Sequence, residues 1–393
     1  MILLTLLIFS LIVSTAYTKN LRRSVTNAPR TGTSPTQQSS LPNAQFPKVS
    51  VIVPAYNEAE NIRDCAIAIL ESTSLSVDNL EVLIVDDRST DDTLAIAQTL
   101  QQQLNDPRLK ILAGQARPAN QYWAGKNWAC AEAVQVATGD FLLFIDADVR
   151  LKLGAIETAI ATVETEKIDL LTCMPALVCD CFAEWLVQPL MFNHLAVCFD
   201  FTAVNDPTTD SAFAAGPFML FRRSAYDKIG GHAAVAAEIV EDVELSRRIK
   251  RAGLKLALYA GSNLAFVRMY RSWSALWEGW TKNLYLGANR SWGMMVYMAA
   301  IMFFLYPMPW LALAILLANG EIANIITNYQ LPITNYQLPI TLLTICFSIF
   351  VIWQQYNLRR LGAEISDCST KYWWLGGLGG TLVAAIAIGS AIK

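Results

Sequence analysis

Four stretches of the chain carry no charged side chain at all: residues 1–18, 293–320, 340–358 and 372–392. Few folds accept runs of this kind. Each is long enough to cross the hydrocarbon core of a bilayer, the first only just. Composition agrees, with 54% apolar and 16% charged residues in a chain of 393. Lys19, Arg22, Arg23 and Arg30 follow the first stretch, and Arg359, Arg360 and Lys371 separate the last two. The 321–339 loop holds Glu321 and no Lys or Arg. The cytoplasmic bias of basic residues then places residues 19–292 and 359–371 in the cytoplasm and both termini outside. No basic n-region precedes the first stretch and no small-residue cleavage site follows it, so it reads as a retained anchor.

The expected organisation is an anchor at 1–18, a linker at 19–47, a cytoplasmic body at 48–292 and three further spans within 293–392. Residues 24–47 are rich in Ser, Thr, Pro, Asn and Gln, which suits a flexible linker. In the 321–339 loop a heptapeptide, Thr327-Asn-Tyr-Gln-Leu-Pro-Ile333, is followed by an identical copy from Thr334 to Ile340. Two short copies are too few for a solenoid and read as a duplication in a tolerant loop. A net charge of −3 gives no footing for nucleic acid. Eight cysteines without a Cys-x-x-Cys pair, and only two histidines, argue against zinc.

Within the body, apolar β-branched runs alternate with helical patterns. Val49-Ser-Val-Ile-Val53 reads as a strand ended by Pro54, and residues 61–70 as a helix. Leu80-Glu-Val-Leu-Ile-Val85 is a second strand leading to Asp86-Asp87-Arg88. Ser89-x-x-Asp92 resembles a capping box for a helix at 90–103, and residues 110–112 a short third strand. A helix at 127–136 leads through Gly139 to Phe141-Leu-Leu-Phe-Ile145, a strand buried on both faces. This alternation predicts an α/β fold with a doubly wound, mostly parallel sheet. No G-x-G-x-x-G follows the first strand, so the dinucleotide fingerprint of an oxidoreductase is missing.

Polar groups gather where these strands end: Tyr56-Asn57-Glu58 after the first, Asp86-Asp87 after the second, Asp146-Ala-Asp148 after the fourth. Open α/β sheets bind ligands at the carboxyl ends of their strands. Asp-x-Asp on a fixed strand end can hold a hard divalent cation through oxygen and leave positions for substrate phosphates. One acidic strand end is usually a helix cap, but three on one edge describe a nucleotide pocket. Further on, residues 214–223 read as a loop entering a strand, Ile229-Gly-Gly-His232 as a turn, and Glu241-Asp242 as the start of an amphipathic helix at 243–251 stopped by Gly253. Asp242 is either a charge favoured by the helix dipole or a general base.

In order, Val-Ser-Val-Ile-Val-Pro-Ala-Tyr-Asn-Glu (49–58), Val-Asp-Asp-Arg-Ser-Thr-Asp (85–91), Asp-Ala-Asp (146–148) and Glu-Asp (241–242) resemble the family-2 inverting glycosyltransferases of GT-A fold. Tyr122-Trp-Ala-Gly-Lys-Asn-Trp-Ala129, Gly230-Gly-His232 and the Arg/Trp-rich stretch 267–283 are similar to a membrane-anchored subgroup associated with hopanoids and glycosylated carotenoids. Processive members carry Gln-x-x-Arg-Trp, whereas this chain has only Arg271-Ser-Trp273. The resemblance implies a non-processive, inverting transfer of a hexose from a UDP- or GDP-linked sugar to a hydroxylated membrane lipid, plausibly a terpenoid. It implies Asp242 as base, and Asp148 with Asp146 as ligands of Mg²⁺ or Mn²⁺. Pro54, Tyr56, Glu58, Asp86, Asp87, Lys126 and Asp146 would contact the nucleotide-sugar. Gly216, His232, Glu241, Arg268 and Arg271 would lie on the acceptor or diphosphate side. Transfer to a polyprenyl phosphate, and a non-catalytic scaffold that kept the fold, are the competing readings. Residues 182–201, short for a span and containing Pro189, read as an interfacial or re-entrant helix, or else a buried core helix.

Overall fold

A computed structural model describes residues 2–32, 46–321 and 337–392, so residues 33–45 of the expected linker and residues 327–336 of the duplicated heptapeptide lie outside the described residues. The chain forms two compact units: one comprises Asn27–Val178 and Phe199–Met269, the other the apolar terminal segments together with Cys179–Cys198 and Tyr270 onward.

The first unit is built on a seven-stranded sheet. Its strands are β1 (Val49–Ala55), β2 (Leu80–Asp86), β3 (Leu109–Ala113), β4 (Phe141–Ile145), β6 (Leu170–Met174), β8 (Phe218–Arg222) and β9 (Leu256–Ala260). Strands β5 (Val149–Leu151), β7 (Ala176–Leu177) and β10 (Ala265–Val267) form a second, smaller sheet. The main order is β3-β2-β1-β4-β8-β6-β9, parallel except that β8 runs antiparallel to both of its neighbours. The mostly parallel α/β expectation therefore holds. Strands β1, β2 and β4 lie inside the sheet with helices against it, which is why their sequences are nearly continuous apolar runs; every residue of β2 and β4 is buried.

Topology positions the ligand edge. The chain winds from β1 through β2 to β3 on one side, then returns to place β4 on the other side of β1. Strand direction and winding sense meet in a crevice at the carboxyl ends of β1 and β4. The small sheet then anchors the chain beyond β4: β5 pairs with β10, Val149 opposite Val267, and the Arg268 N–H donates to the Asp148 carbonyl at 3.4 Å.

Two helix starts differ from the sequence expectation. The helix after β2 begins at Thr93, because Ser89 is engaged elsewhere, its Oγ accepting from the Asn57 N–H at 2.9 Å. The helix before β4 begins at Gly125, so Lys126 and Asn127 fall in its first turn.

In the second unit, helices Ile2–Thr26, Leu338–Ser366 and Trp373–Ile392 are long and apolar enough to cross a membrane. The first continues well past residue 18, because Lys19, Leu21, Arg22 and Arg23 are good helix formers and no Gly or Pro breaks it there. The expected span at 293–320 is not one straight helix. It breaks into Trp292–Leu305 and Pro307–Ala318, bent by 47°, since Pro307 can neither donate a helical hydrogen bond nor clear the preceding turn. The described helices thus offer three candidate spans, or four if the bent pair counts as one.

The Phe182–Cys198 helix packs inside this unit. Two polar groups along it pair with other helices of the unit: Asn193 Nδ2 donates to the Leu358 carbonyl at 3.0 Å, and Gln188 Oε1 accepts from Trp280 Nε1 at 2.6 Å. Gly362 and Gly379 permit the approach, since a Cβ at either would overlap Asn193 or the Leu186 backbone.

Candidate functional site

The loops leaving β1 and β2 are interlocked. The Asn57 side chain accepts from the Thr90 N–H at 2.8 Å while its own N–H goes to Ser89. Asn57 (φ 56°) and Arg88 (φ 61°) both sit in the left-handed region, unusual for non-glycine residues and costly for Arg. Such backbone strain at a sheet edge is characteristic of ligand clamps. Tyr56, 55% exposed, stands over a cleft that it lines with Asp87, Arg88, Ala116 and Arg117. Pro54 is the penultimate residue of β1, in register with Val85 of β2.

Asp86 and Asp87 are separated by their surroundings. Asp87 forms an ion pair with Arg117 at 2.6 Å, and burial pushes its carboxyl up against the opposing pull of that guanidinium. Gly125 makes room, because a Cβ there would overlap both partners. Asp86 Oδ2 accepts from the Ser89 N–H at 3.2 Å, and its Oδ1 is buried without a partner among the described residues. A buried carboxylate oxygen left unmatched is expensive unless a ligand completes it. Arg117 carries no sequence signal: it lies in a loop of no recognisable pattern, and only the fold brings it to Asp87.

At the end of β4 a second cluster forms. Lys126 Nζ bridges Asp146 Oδ1 at 2.6 Å and Glu241 Oε1 at 2.8 Å. Burial would lower this ammonium, but Asp146, Glu241 and Asp242 outweigh it and hold Lys126 well above its ordinary value. Asp242 Oδ2 accepts from the Gly216 N–H at 3.0 Å and its Oδ1 from the Val243 N–H at 2.8 Å. Burial first, then the neighbouring Glu241, pushes Asp242 up to about 7. Gly216 sits at the centre: a Cβ there would lie 3.1 Å from Asp242 Oδ2, 3.2 Å from Lys126 Nζ and 3.7 Å from Asp146 Oδ2. Glu241 and Asp242 occupy the first turn of the Glu241–Arg251 helix, which has acidic residues at its start and Arg248, Lys250 and Arg251 at its end. The dipole favours that arrangement, yet it does not explain why Asp242 Oδ2 turns out of its helix to the Gly216 N–H.

Asp148 completes the site. Its Oδ1 is buried without a partner among the described residues, and burial, then Asp146 and Glu58, raises its carboxyl well above the usual range. Glu58 is itself raised by burial, with Asp146 contributing. Carboxylate oxygens crowded together, one of them unsatisfied, are the donor chemistry a hard dication takes. Among the described residues no group of three or more His, Cys, Asp or Glu side chains is placed to hold a metal ion by itself.

His232, Arg268 and Arg271 are each placed differently. His232 lies inside the body, fully buried, its Nδ1 within 2.8 Å of the Tyr226 hydroxyl and its ring 4.6 Å from that of Phe144. Burial lowers it to about 3, so it is a neutral core residue beneath the site and not a group on its surface. Arg268 is brought alongside Asp148 through its backbone. Arg271 belongs to the unit with the apolar helices.

The family description "Glycosyl transferase family 2" matches residues 50–230, and "Glycosyl transferase family group 2" matches residues 141–386. The 4,4'-diaponeurosporenoate glycosyltransferase of Staphylococcus haemolyticus (strain JCSC1435) is 28% identical over 252 residues, covering 61% of this chain and 62% of its own. The protein of the same name from Staphylococcus aureus (strain USA300) is 29% identical over 252 residues, covering 63% of each. The chain thus spans less than two thirds of the length of these curated relatives. Among solved structures, the mannosyltransferase PcManGT from Pyrobaculum calidifontis, in complex with GDP-Man and Mn²⁺, has a TM-score of 0.53 at 16% identity, covering 100% of this chain and 98% of that one. That likeness is one of fold.

Proposed function

The chain belongs to the family-2 glycosyl transferases, and from that membership we propose that it transfers one sugar from a nucleotide-sugar to a hydroxylated, terpenoid-like membrane lipid, with inversion. The observation that carries this reading is the convergence of Asp146, Lys126, Glu241 and Asp242 around Gly216 at the switch point of the sheet. The relatives named for a carotenoid acid support a terpenoid acceptor, hopanoid or carotenoid, and the fold neighbour's GDP-Man and Mn²⁺ support a nucleotide-sugar and a dication.

Asp86, with its unmatched oxygen, takes the ribose or base edge, and the Asp87–Arg117 pair borders that pocket. Asp148 and Asp146 would hold Mg²⁺ or Mn²⁺, which when bound offsets the negative charge growing on the leaving diphosphate. Lys126 lies in the first turn of a helix beside Asp146, where its ammonium can turn to the same diphosphate. Asp242 takes the proton of the acceptor hydroxyl as that oxygen bonds to the anomeric carbon and the carbon–diphosphate bond breaks. A carboxyl near 7 suits this work, being basic enough to accept a proton and partly ionised at neutral pH.

A second reading has one observation in its favour. The relatives' acceptor is by name a carboxylate, which arrives already ionised and needs no base; a polyprenyl phosphate would share that property. We place the catalytic body in the cytoplasm, where nucleotide-sugars are made, on the Lys and Arg asymmetry. Reporters fused within 24–47 and within 321–339 should give opposite topology signals, and matching signals would refute this orientation.

The deciding experiment incubates the full-length protein in lipid nanodiscs with labelled UDP- and GDP-sugars and with terpenoid alcohols, terpenoid acids or polyprenyl phosphate. A labelled glycolipid from an alcohol, of inverted anomeric configuration by NMR, is expected. Release of free sugar with every acceptor would sink the transferase reading, and product from acids or phosphates alone would replace the hydroxyl acceptor.

A further inference from the structure

The helix that carries Asp242 is not held in place by its own start. Its N-cap, Val240, offers no side-chain cap, and residues 237–239 ahead of it are exposed, Ile239 included. Only further back, at Val235 and Ala236, is the lead-in buried. Three of its backbone carbonyls are bonded by one side chain from elsewhere. Asn127 is fully buried, and its Nδ2 donates to the carbonyls of Val235 at 2.7 Å, Glu238 at 2.8 Å and Ala236 at 3.2 Å. An amide has two N–H groups, so the third carbonyl shares one of them. The backbone N–H of Ala124 adds a parallel bond to the Ala236 carbonyl at 2.7 Å.

The neighbour of Asn127 is Lys126, which grips Asp146 and Glu241. Adjacent residues in one helical turn thus hold the lead-in backbone and the first turn of the acidic helix. Lys126 acts through charges that a donor diphosphate would redirect. Asn127 acts through neutral bonds to backbone carbonyls, which offer no charge for a donor diphosphate to redirect.

We propose that Asn127 is a positioning residue that fixes the reach of Asp242 toward the acceptor and takes no part in donor binding. The inference rests on reading Asp242 as the base. Displacing a reacting group by about 1 Å can cost roughly a hundredfold in rate, and an unpinned lead-in permits displacement of that size.

The test uses Asn127→Asp in the full chain, with kcat, both KM values, donor-analogue affinity and thermal midpoint measured beside wild type and Asp242→Asn. The substitution keeps the size, removes both N–H groups and turns a carboxylate toward the carbonyls. The expected result is kcat lower by roughly 30- to 100-fold, with donor-analogue affinity and donor KM within about twofold of wild type. A second variant reaches the same clamp from the backbone. Ala124→Pro removes the N–H that bonds Ala236, at a residue whose φ of −67° already suits proline. It should lower kcat in the same direction by roughly three- to tenfold with donor affinity unchanged, and it decides the matter if Asn127→Asp does not fold. A folded Asn127→Asp with kcat within threefold of wild type overturns the proposal when Asp242→Asn is inactive. Donor affinity falling in step with kcat also overturns it, since the residue would then serve the whole pocket. Full turnover in Asp242→Asn sinks the base reading, and the clamp with it.

Discussion

The two ends of the same sheet treat carboxylates in opposite ways. At the amino end, Glu81 of β2 is buried, yet it accepts from Lys110 Nζ at 2.7 Å, Ser50 Oγ at 2.7 Å, the Thr138 N–H at 2.6 Å and the Thr138 hydroxyl at 2.8 Å. Burial alone would raise it, but these donors outweigh burial and bring it to about 2. At the carboxyl end, Asp86 and Asp148 each keep a buried oxygen without a partner among the described residues, while Asp148 and Asp242 are raised. Both ends are short of water, so burial is not what separates them. Donors do. A fully satisfied carboxylate stabilises the fold, whereas one left short of donors costs stability and is retained where a ligand or a proton completes it.

That contrast can be broken most sharply at Asp148. Asp148→Ala should lower transfer by about a thousandfold or more, since the group offsetting the leaving diphosphate would lose its ligand. The fold should survive, because the lost carboxylate was an unsatisfied one. Wild-type turnover in excess chelator, or a collapse of the thermal midpoint in this variant, would each break the comparison.

Asp242→Asn comes next. The swap is nearly isosteric, and as a helix-start charge it is worth at most about 2 kcal/mol, whereas loss of a general base costs roughly 10²–10⁴ in rate. Initial rates at saturating donor and acceptor separate the two. A loss below about tenfold would make Asp242 a helix-start residue and favour an acceptor that arrives ionised.

The same carboxyl predicts a pH dependence. Its value in the folded chain is raised to about 7, so between the ordinary carboxylate range and 7 the native protein keeps the proton there. Base catalysis needs the anion, so kcat should rise through about pH 7 and fall about tenfold per unit below it. A profile flat between pH 5 and 8 would refute the assignment.

The smallest expected effect tests the other end. Glu81→Gln should leave kcat unchanged while costing on the order of 2 kcal/mol of stability at neutral pH, a figure held down by the partly exposed Lys110. Because the folded value is depressed, this stabilisation is full above the ordinary glutamate range and is lost as pH falls toward 2. Denaturant midpoints of wild type and variant should therefore converge in acid. A variant that keeps its stability but loses activity would invert the comparison.

The sequence alone determined what depends on near neighbours along the chain. The strand before Asp146 was legible because five apolar residues bounded by polar ones can bury both faces only as an inner strand, and Phe141–Ile145 is that strand. The placement of Asp146 and Asp148 at its carboxyl end comes from the same run. The uncharged stretches were legible as apolar helices for an equally local reason, although Pro307 divides one of them at a bend that a reading of charge alone passes over.

What only the tertiary structure decided is which polar groups meet. Asp86 and Asp87 are neighbours of one type in sequence, yet one is committed to Arg117 and the other keeps an open oxygen. His232 follows two glycines like a site residue, and folding packs it against Tyr226 and Phe144. Lys126 reads along the chain as a phosphate contact or a solvated helix lysine, and only the fold shows that β4 and the acidic helix close on it; Asn127 gives no sign of its three carbonyl partners. Hydrophobic periodicity repeats within a few residues and can be read along the chain. Hydrogen bonds and ion pairs act over a few ångströms between residues far apart in sequence, so they exist only after the strand order has brought those residues together.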